Sequence, residues 1–364
     1  LLTKQLSNTK LNKYLIVIYA DVSKIANDAM DASFNGTVSA DANQGKLILV
    51  DTITNLYNNT TKAPVTNNSI IYQYDTAHNL MKDNAGNIRY YGASPNNYIY
   101  FNCSNYSNQS SSTCEKWRII GVVDGKVKLI RNEKIGTYPW DNKKKSTGAE
   151  SDFGKNNWSD AILMKLLNPG YESGTIGGSL YYNAKSGNCY SGKSNATTTC
   201  DFAPIGIKNA ATRNLISDTT YYLGGCNRAI VYPNQIYECE RGTTVYAGRP
   251  TTWTGKIALP YPSDYGYAAD LGECLDKKIG SYSDNTCISN NWMKAIFTSK
   301  PNWLLTHNFD EPYLVWGIDS SGNVASGYVA YNANGVVPVL SLSSELSIKA
   351  GTGSSLEPYQ LSVN

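Results

Sequence analysis

Eight cysteines stand in the sequence as four consecutive pairs, and each pair encloses a short polar stretch of chain. The spacings within the pairs are 11, 11, 13 and 13 residues. Zinc sites usually leave about two to four residues between paired cysteines, and no CxxC motif occurs. The pattern therefore favours disulfides over a metal site and indicates an oxidising, extracellular destination. Nearest-neighbour pairing, one of many possible connectivities, would join Cys103 to Cys114, Cys189 to Cys200, Cys226 to Cys239 and Cys274 to Cys287.

The composition indicates a folded chain and argues against a polyanion as the main partner. Aromatic residues make up 11% of the sequence, with 28 Tyr and 7 Trp, whereas disordered chains have few aromatics. The formal charge is only +3, from 32 basic and 29 acidic residues, so we expect no nucleic-acid binding. The longest apolar run, residues 14–20, is too short to span a membrane. We expect an extracellular, cell-surface or pilus protein whose anchor segment is absent from this chain.

Hydrophobic periodicity divides the chain into two parts. Apolar residues between Leu11 and Ala29 recur every three or four positions, which is the pattern of one face of an α-helix. A second stretch with helical periodicity follows at 49–57, and both stretches precede every cysteine. We therefore predict a helical stalk over residues 1–65. Short strands, a few helices and long loops then predict a domain over residues 66–364, so the predicted fold class is α+β.

Two local patterns predict particular elements of that domain. Residues 117–130 read as two strands around Asp124-Gly125, a dipeptide typical of type I′ hairpin turns. Residues 159–167 read as a short helix with Ser159 as its N-cap.

No sequence motif assigns a catalytic centre, so we predict no enzyme activity, no catalytic residue and no cofactor. Asp264 and Asp270 flank an aromatic run and are candidate paired carboxylates, although loop capping is the simpler interpretation. His307 has no assignable cysteine or serine nucleophile to serve, so a surface or ligand-contact role fits it better. Glu311-Pro312 is similar to part of a calcium-lectin loop, but no Trp-Asn-Asp follows, so we expect no bound metal.

The segment 313–334 has the composition of a binding face. It is predicted to form a hairpin, 314–319 with 323–331, before a buried strand at 336–342. Tyr supplies a large, rigid contact surface, while Asn and Ser supply adaptable hydrogen bonds. The alternative is an ordinary solvated hairpin, because Tyr and Asn are common throughout this chain. The predicted ligand-binding residues are His307, Asn308, Tyr313, Trp316, Asn323, Ser326, Tyr328, Tyr331, Asn332 and Asn334.

Two of these assignments carry a further expectation. We expect Tyr328 and Tyr331 to contribute to ligand binding and to contribute little to stability. Trp316 falls where a core element begins, so burial in the core is its alternative role.

Several motifs, in order, resemble surface proteins of gut Bacilli and related Gram-positive bacteria. Those proteins often begin with a prepilin-type leader and membrane helix, followed by a domain of the C-type-lectin-like, formylglycine-generating-enzyme-like fold. The resemblance covers residues 90–364, and the helix predicted near the start is similar to the part of a type IV pilin helix beyond the membrane. The matching motifs are YIYF (98–101), KWRIIGV (116–122), LIRNEKIG (129–136), NWSDAILMKLLN (157–168), TWTG (252–255), YPSDYGY (261–267), GVVPVLSL (335–342) and GTGSSLEPYQL (351–361).

The resemblance implies an N-terminal pilin-like stalk that carries a C-type-lectin-like binding domain. Such a protein would be an adhesin that recognises a protein or glycan ligand on another cell or host surface, with other pilin subunits contacting its N-terminal helix. Some lectin-fold proteins of this kind are targets of diversity-generating retroelements, which vary Tyr- and Asn-rich positions just before a Gly-Val-Arg-Pro-like strand. Here the strand begins Gly335-Val336-Val337-Pro338, with Val337 in place of the usual Arg.

Two alternative functions stay open at this point. The chain could be a structural type IV pilin subunit without a specific ligand. The enzyme branch of the resembled fold implies an oxidase with reactive cysteines, which would require free or redox-labile thiols.

Overall fold

The computed structural model describes residues 46–142, 152–193, 195–227, 231–297 and 301–363. Within these ranges the chain is mostly β, with 20 strands in several sheets and 6 short α-helices. The predicted α+β class with a pilin-like helical stalk is therefore wrong. The helix predicted between Leu11 and Ala29 lies outside the described residues.

The helices are short and spread along the chain. The α-helices are α1 (Leu49–Asn58), α2 (Ile162–Leu167), α3 (Ala210–Leu215), α4 (Pro233–Arg241), α5 (Pro262–Ala268) and α6 (Asn285–Ser289). Single turns of 3-10 helix occur at Trp158–Asp160, Ile279–Ser281 and Trp292–Ala295.

The strands of the first half of the chain are β1 (Ala63–Asn67), β2 (Ile70–Asp75), β3 (Leu80–Lys82), β4 (Ile88–Tyr90), β5 (Tyr98–Phe101), β6 (Glu115–Val123), β7 (Lys126–Arg131), β8 (Thr137–Pro139), β9 (Ser186–Tyr190) and β10 (Thr197–Asp201). Those of the second half are β11 (Thr219–Tyr222), β12 (Thr252–Gly255), β13 (Ile257–Ala258), β14 (Asn302–His307), β15 (Leu314–Ile318), β16 (Val324–Val329), β17 (Ala333–Gly335), β18 (Val339–Ser341), β19 (Ser347–Ala350) and β20 (Gln360–Ser362).

Two larger sheets organise the domain. One has nine strands in the order β1-β2-β3-β4-β6-β7-β18-β13, with β5 also paired to β6. The other has five strands in the order β16-β15-β14-β17-β8, and its β14–β17 pair is parallel. Three two-stranded ribbons, β9–β10, β11–β12 and β19–β20, complete the described strands.

The five-stranded sheet is covered on both faces at its centre. Successive residues of β14 enter different hydrophobic clusters, with Trp303 in one and Leu304 in the other. The same alternation separates Val315 from Trp316 on β15. Because side chains of a strand point alternately to opposite faces, the sheet lies between two cores. Polar side chains in the central strands of this sheet are therefore less exposed than they would be in a hairpin with one face in solvent.

Helix α1 is an integral part of the β-rich domain. Its residues Leu49, Ile53 and Tyr57 are at most 4% exposed and belong to the largest hydrophobic cluster. The helix packs on β4, β6 and β7, and the compact unit that contains it runs from Gly45 to Asn364. The helix predicted at 49–57 is confirmed as α1. Its apolar face packs on the sheet of the domain, so the helix is not part of a separate stalk. A stripe shows that one face must be buried and does not say against what.

The hairpin predicted around Asp124-Gly125 is confirmed. Strands β6 and β7 pair from Val123 with Lys126 onward. Asp124 and Gly125 have φ angles of 50° and 74°, the left-handed values that a type I′ turn requires.

Two local predictions differ in detail from the structure. Asn157, not Ser159, caps the Trp158–Asp160 turn, and α2 begins only after Ala161. The strand predicted over 336–342 is reduced to β18, which begins after Pro338. Proline has no N–H to donate to a ladder, which explains the late start.

The four nearest-neighbour disulfides are confirmed, and none of the eight cysteines is free. Cys103–Cys114 joins the end of β5 to the start of β6, and Cys189–Cys200 crosses the β9–β10 ribbon. Bridges of this kind are compatible with an extracellular protein. In the part of the chain that the structure describes, no helix is both long enough and apolar enough to cross a bilayer.

Candidate functional site

Four of the ten predicted ligand-binding residues lie in the interior. Trp316 is fully buried, and His307, Asn308 and Asn334 are 4%, 6% and 6% exposed. The Trp316 indole Nε1 donates to the Cys226 carbonyl at 2.8 Å, which satisfies its one polar group inside the core. These side chains offer a ligand almost no surface, because the sheet that carries them is covered on both faces.

His307 sits in an environment that keeps its imidazole neutral. Burial, and next the positive charge of Arg249, lowers the pKa of His307 to about 4. Its Nε2 is buried and has no hydrogen-bond partner among the described residues. A Cβ on Gly225 would lie 3.0 Å from this nitrogen, so the glycine makes room for the ring. This burial argues for a structural role.

Beside His307, one buried amide organises the loop that follows β14. The Asn156 Nδ2 donates to the carbonyl oxygens of Asn308, Glu311 and Leu314 at 2.9, 2.7 and 2.9 Å. The Asn156 Oδ1 accepts from the Arg249 Nε at 3.1 Å. A single side chain therefore fixes the whole turn that presents Tyr313.

Tyr313 and Tyr331 form a surface cluster with Phe153, and we call these three residues the aromatic patch. The Phe153 ring centroid lies 5.0 Å from that of Tyr313 and 5.8 Å from that of Tyr331. Phe153 is 43% exposed, and the Lys193 Nζ lies 5.3 Å from the Tyr331 centroid. Aromatic rings that meet at a surface, with a cation beside them, form a contact surface typical of recognition sites.

Backbone hydrogen bonds hold the aromatic patch together. The Tyr331 N–H donates to the Phe153 carbonyl at 3.2 Å, and the Ala330 N–H donates to the Tyr313 carbonyl at 2.9 Å. The two ends of the β15–β16 hairpin and the distant Phe153 segment are thus fixed side by side, so the rings are placed before any ligand arrives. Burial, and next the Glu311 carboxylate, raises the pKa of Tyr313, so its phenol stays neutral at physiological pH.

Sequence reasoning missed Phe153. The available signal was the glycine that follows it: Gly154 has a φ of +83°, and a Cβ there would lie 2.2 Å from the Asp141 carbonyl oxygen. Only glycine fits that close approach, and it fixes the path of the chain beside Phe153. A Phe-Gly pair in a polar loop marks a special backbone, but its partners Tyr313 and Tyr331 follow only from the tertiary fold.

Tyr328 differs from Tyr331 although both were predicted to bind. Its half-buried ring lies over Gly317, where a Cβ would come within 2.6 Å of Cδ2, and its centroid is 6.5 Å from that of Trp303. Burial, and next the Asp319 carboxylate, raises the pKa of Tyr328 to about 12. The ring therefore packs against the sheet, and we infer that Tyr328 contributes more to stability than Tyr331 does.

The remaining three predicted residues are half-buried: Asn323 directly precedes β16, Ser326 lies within it, and Asn332 follows it. Asn323 accepts from the Ser283 N–H at 2.9 Å, and the Ser326 Oγ donates to the Asn227 carbonyl at 3.4 Å. Asn332 directly follows Tyr331, and its N–H donates to the Val329 carbonyl at 2.9 Å. Of the three, only Asn332 is a sequence neighbour of the aromatic patch.

The two candidate carboxylates serve the backbone. Asp264 accepts from the Tyr261 N–H at 2.9 Å at the start of α5, and Asp270 accepts from the Gly272 N–H at 3.0 Å. Asp264 is also paired with Arg89 and Lys128 at 3.0 and 2.5 Å. These contacts fit the capping interpretation. Within the described ranges, no group of three or more His, Cys, Asp or Glu residues is placed to hold a metal ion.

Comparison with known proteins gives no relative: no family model, curated protein or solved structure matches this chain. The resemblance to Gram-positive surface proteins therefore stays a prediction from the sequence motifs.

Proposed function

We propose that this chain is an extracellular, disulfide-bonded binding protein that recognises a protein or glycan ligand through the aromatic patch. The observation that carries the proposal is the meeting of Phe153 with Tyr313 and Tyr331, which flank the β15–β16 hairpin in a distant part of the chain, at one surface. Aromatic anchors bury much area at low entropic cost, so they dominate the energy of many interfaces.

The surroundings of the aromatic patch support recognition without chemistry. Lys193 adds a positive charge beside Tyr331, and Asn332 adds an amide next to it in the sequence. An aromatic centre with polar neighbours is the usual division of an interface into anchors and rim.

The alternative functions have less support. An oxidase that uses free cysteines would first have to open a disulfide, because all eight cysteines are paired. A purely structural pilin subunit would assemble through residues 1–30, which lie outside the described residues. In that case substitutions in the aromatic patch would leave its function unchanged.

The test is binding of the full-length chain to a printed array of defined oligosaccharides and to a panel of immobilised extracellular proteins. We expect saturable binding to one class of probe, reduced at least about tenfold in the double variant Tyr313→Ser, Tyr331→Ser. Both rings lie at the surface, so the variant should keep its fold, which circular dichroism would check.

Tyr232→Ser is the matched control, since Tyr232 is also partly exposed, has the Lys278 Nζ 5.9 Å from its ring centroid, and is not part of the aromatic patch. It should bind as the wild type does. The proposal fails if no probe binds, or if the control and the double variant lose binding equally.

A further inference from the structure

A cleft of about 210 Å³ lies beside the nine-stranded sheet and shares no residue with the aromatic patch. Its floor includes Lys128 on β7 and Ser341 on β18, which are directly paired in the sheet. Strand β11 forms one wall, and Arg241 and Tyr261, at the edges of α4 and α5, form another. We call this site the cationic cleft and define it by Lys126, Lys128, Tyr222, Arg241, Tyr261 and Ser341.

Positive charge prevails among the residues that line the cationic cleft. Lys126, Lys128 and Arg241 contribute three cations, of which Lys128 is paired with the buried Asp264, and Asp124 is the one carboxylate in the lining. Asp124 is 51% exposed and accepts from the Arg241 Nη2 at 2.9 Å, so it stands at the solvent side. Among the described residues, Lys126 donates to one backbone carbonyl, that of Asp218 at 2.7 Å, and that contact does not neutralise its charge. An anionic group is therefore the ligand that this lining favours.

The aromatic wall is held rigidly. The Tyr261 hydroxyl accepts from the Tyr222 N–H at 2.7 Å and donates to the Tyr222 carbonyl at 2.9 Å, which ties β11 to α5. The Arg241 guanidinium lies 4.9 Å from the Tyr222 ring centroid, and its Nη1 is buried without a hydrogen-bond partner in the described chain. A wall fixed in this way does not need to be ordered when a ligand binds.

The size of the cleft limits the ligand to one small molecule or one terminal group. Its volume is about 210 Å³. Pockets for larger ligands run from about 300 to 1,000 Å³. Cations beside tyrosine rings, with hydroxyl groups such as that of Ser341, suit a ring-shaped molecule that carries both a carboxylate and hydroxyls.

We propose that the cationic cleft binds a carboxylate-bearing monosaccharide, with the carboxylate between Lys126 and Arg241 and the sugar ring against Tyr222. Charge-assisted hydrogen bonds hold the carboxylate, and the face of the ring packs on the aromatic wall. This site is independent of the ligand proposed for the aromatic patch.

The test is isothermal titration calorimetry of the full-length chain with D-glucuronate, its methyl glycoside and D-glucose. We expect saturable binding of glucuronate and none of glucose, because glucose lacks the carboxylate. Binding of the methyl glycoside as well would identify the end of a glycan as a source of the ligand, whereas binding of the free acid alone would identify the free sugar acid. No binding of glucuronate, or equal binding of glucose, would overturn the proposal.

Variants distinguish the cleft from a general charge effect. Lys126→Gln should weaken glucuronate binding about tenfold, the usual worth of one charge-assisted hydrogen bond. Arg241→Gln should weaken glucuronate binding further. If the Arg241 variant folds poorly, the Lys126 variant still tests the proposal, because Lys126 is partly exposed and its substitution should leave the fold intact. Lys116→Gln is the matched control, since its ammonium contacts the Ser355 carbonyl outside the cleft. Equal affinities of the Lys126 and Lys116 variants would contradict the assignment.

The two binding sites can fail separately. The double variant Tyr313→Ser, Tyr331→Ser should bind glucuronate as the wild type does, because neither tyrosine lines the cleft. Loss of glucuronate binding in that variant would assign the sugar to the aromatic patch and overturn the cleft.

Discussion

The cationic cleft lies over side chains that are locked into buried ion pairs, whereas the aromatic patch consists of rings that meet at a surface. Beneath the cleft, Asp264 pairs with both Arg89 and Lys128, and these three side chains are at most 5% exposed. In the aromatic patch Phe153 is 43% exposed and the rings touch mainly one another. We therefore expect substitutions in the ion pairs beneath the cleft to lower stability, and substitutions in the aromatic patch to change stability little.

The ion pairs under the cleft form a connected chain. The Arg89 Nε bonds Asp83 at 2.7 Å, and its Nη1 bonds Asp264 at 3.0 Å, while Lys128 bonds the other oxygen of Asp264 at 2.5 Å. The two cations beside Asp264 hold the pKa of its carboxyl below its usual range, although burial opposes this. Substituting one residue of this network leaves its partners charged and buried without a counter-charge. The resulting loss of folding stability is far larger than the net stabilisation that the ion pair provides.

Asp264→Asn should have the largest effect on stability. The amide keeps the shape and can still accept from the Tyr261 N–H, but Arg89 and Lys128 lose the shared negative charge. We expect a loss of about 3–5 kcal/mol in the free energy of unfolding, measured by urea denaturation. Asp270→Asn, where the carboxylate accepts from the Gly272 and Glu273 N–H groups, should lose less than about 1 kcal/mol. Equal losses would show that the network adds no more than a cap.

Glu240→Gln should change how stability depends on pH. Burial is the main cause that raises the pKa of Glu240 to about 7, while the Ser263 hydroxyl and Arg241 oppose the rise. The native state therefore holds a proton that the unfolded state loses near the usual value of 4.5. The contribution of this proton to stability is complete below about 4.5 and is lost as the pH rises to about 7.

The Gln variant has no such titration, so its stability relative to the wild type should increase between pH 4.5 and 7 by up to about 3 kcal/mol. Urea denaturation of both proteins at pH 5 and pH 8 measures the difference. His307, whose lowered pKa makes acid destabilising, is present in both proteins and cancels in the comparison. A difference that does not change with pH would mean that Glu240 titrates normally.

Tyr328→Ala and Tyr331→Ala should separate packing from surface within one hairpin. Tyr328 lies against Trp303 and over Gly317, so its loss should cost about 2 kcal/mol, less than for a fully buried aromatic side chain. Tyr331 contacts mainly Phe153 and Lys193 at the surface, so its loss should cost below about 1 kcal/mol. Thermal denaturation of the two variants measures this. Similar losses would make the aromatic patch part of the core.

Local elements could be predicted because neighbouring residues decide them. The Asp124-Gly125 turn needs only residues that accept positive φ, and the four disulfides close loops of 11 or 13 residues. The helical periodicity at 49–57 was likewise sufficient to predict α1. In each case the interacting residues lie within 13 positions of one another in the sequence.

The fold class, and the burial of four of the ten predicted ligand-binding residues, could not be predicted in this way. Periodicity showed that α1 buries one face but not that a sheet covers it, and hence a stalk was expected. The position of Trp316 allowed burial in a core as an alternative, but the hairpin pattern at 314–331 did not show that the sheet has a core on both faces. The sites of Asp264 and Glu240 also depend on partners far away in the chain, such as Arg89 and Ser263.

By itself, the sequence determined the covalent framework and the local turns of this protein. The tertiary structure alone decided that Phe153 meets Tyr313 and Tyr331, and that Lys126, Lys128 and Arg241 line one cleft. The physical reason is range: turn and helix preferences come from neighbours in the chain, whereas a binding surface needs side chains from distant segments. Those segments come together only when burial of the apolar faces fixes the whole fold.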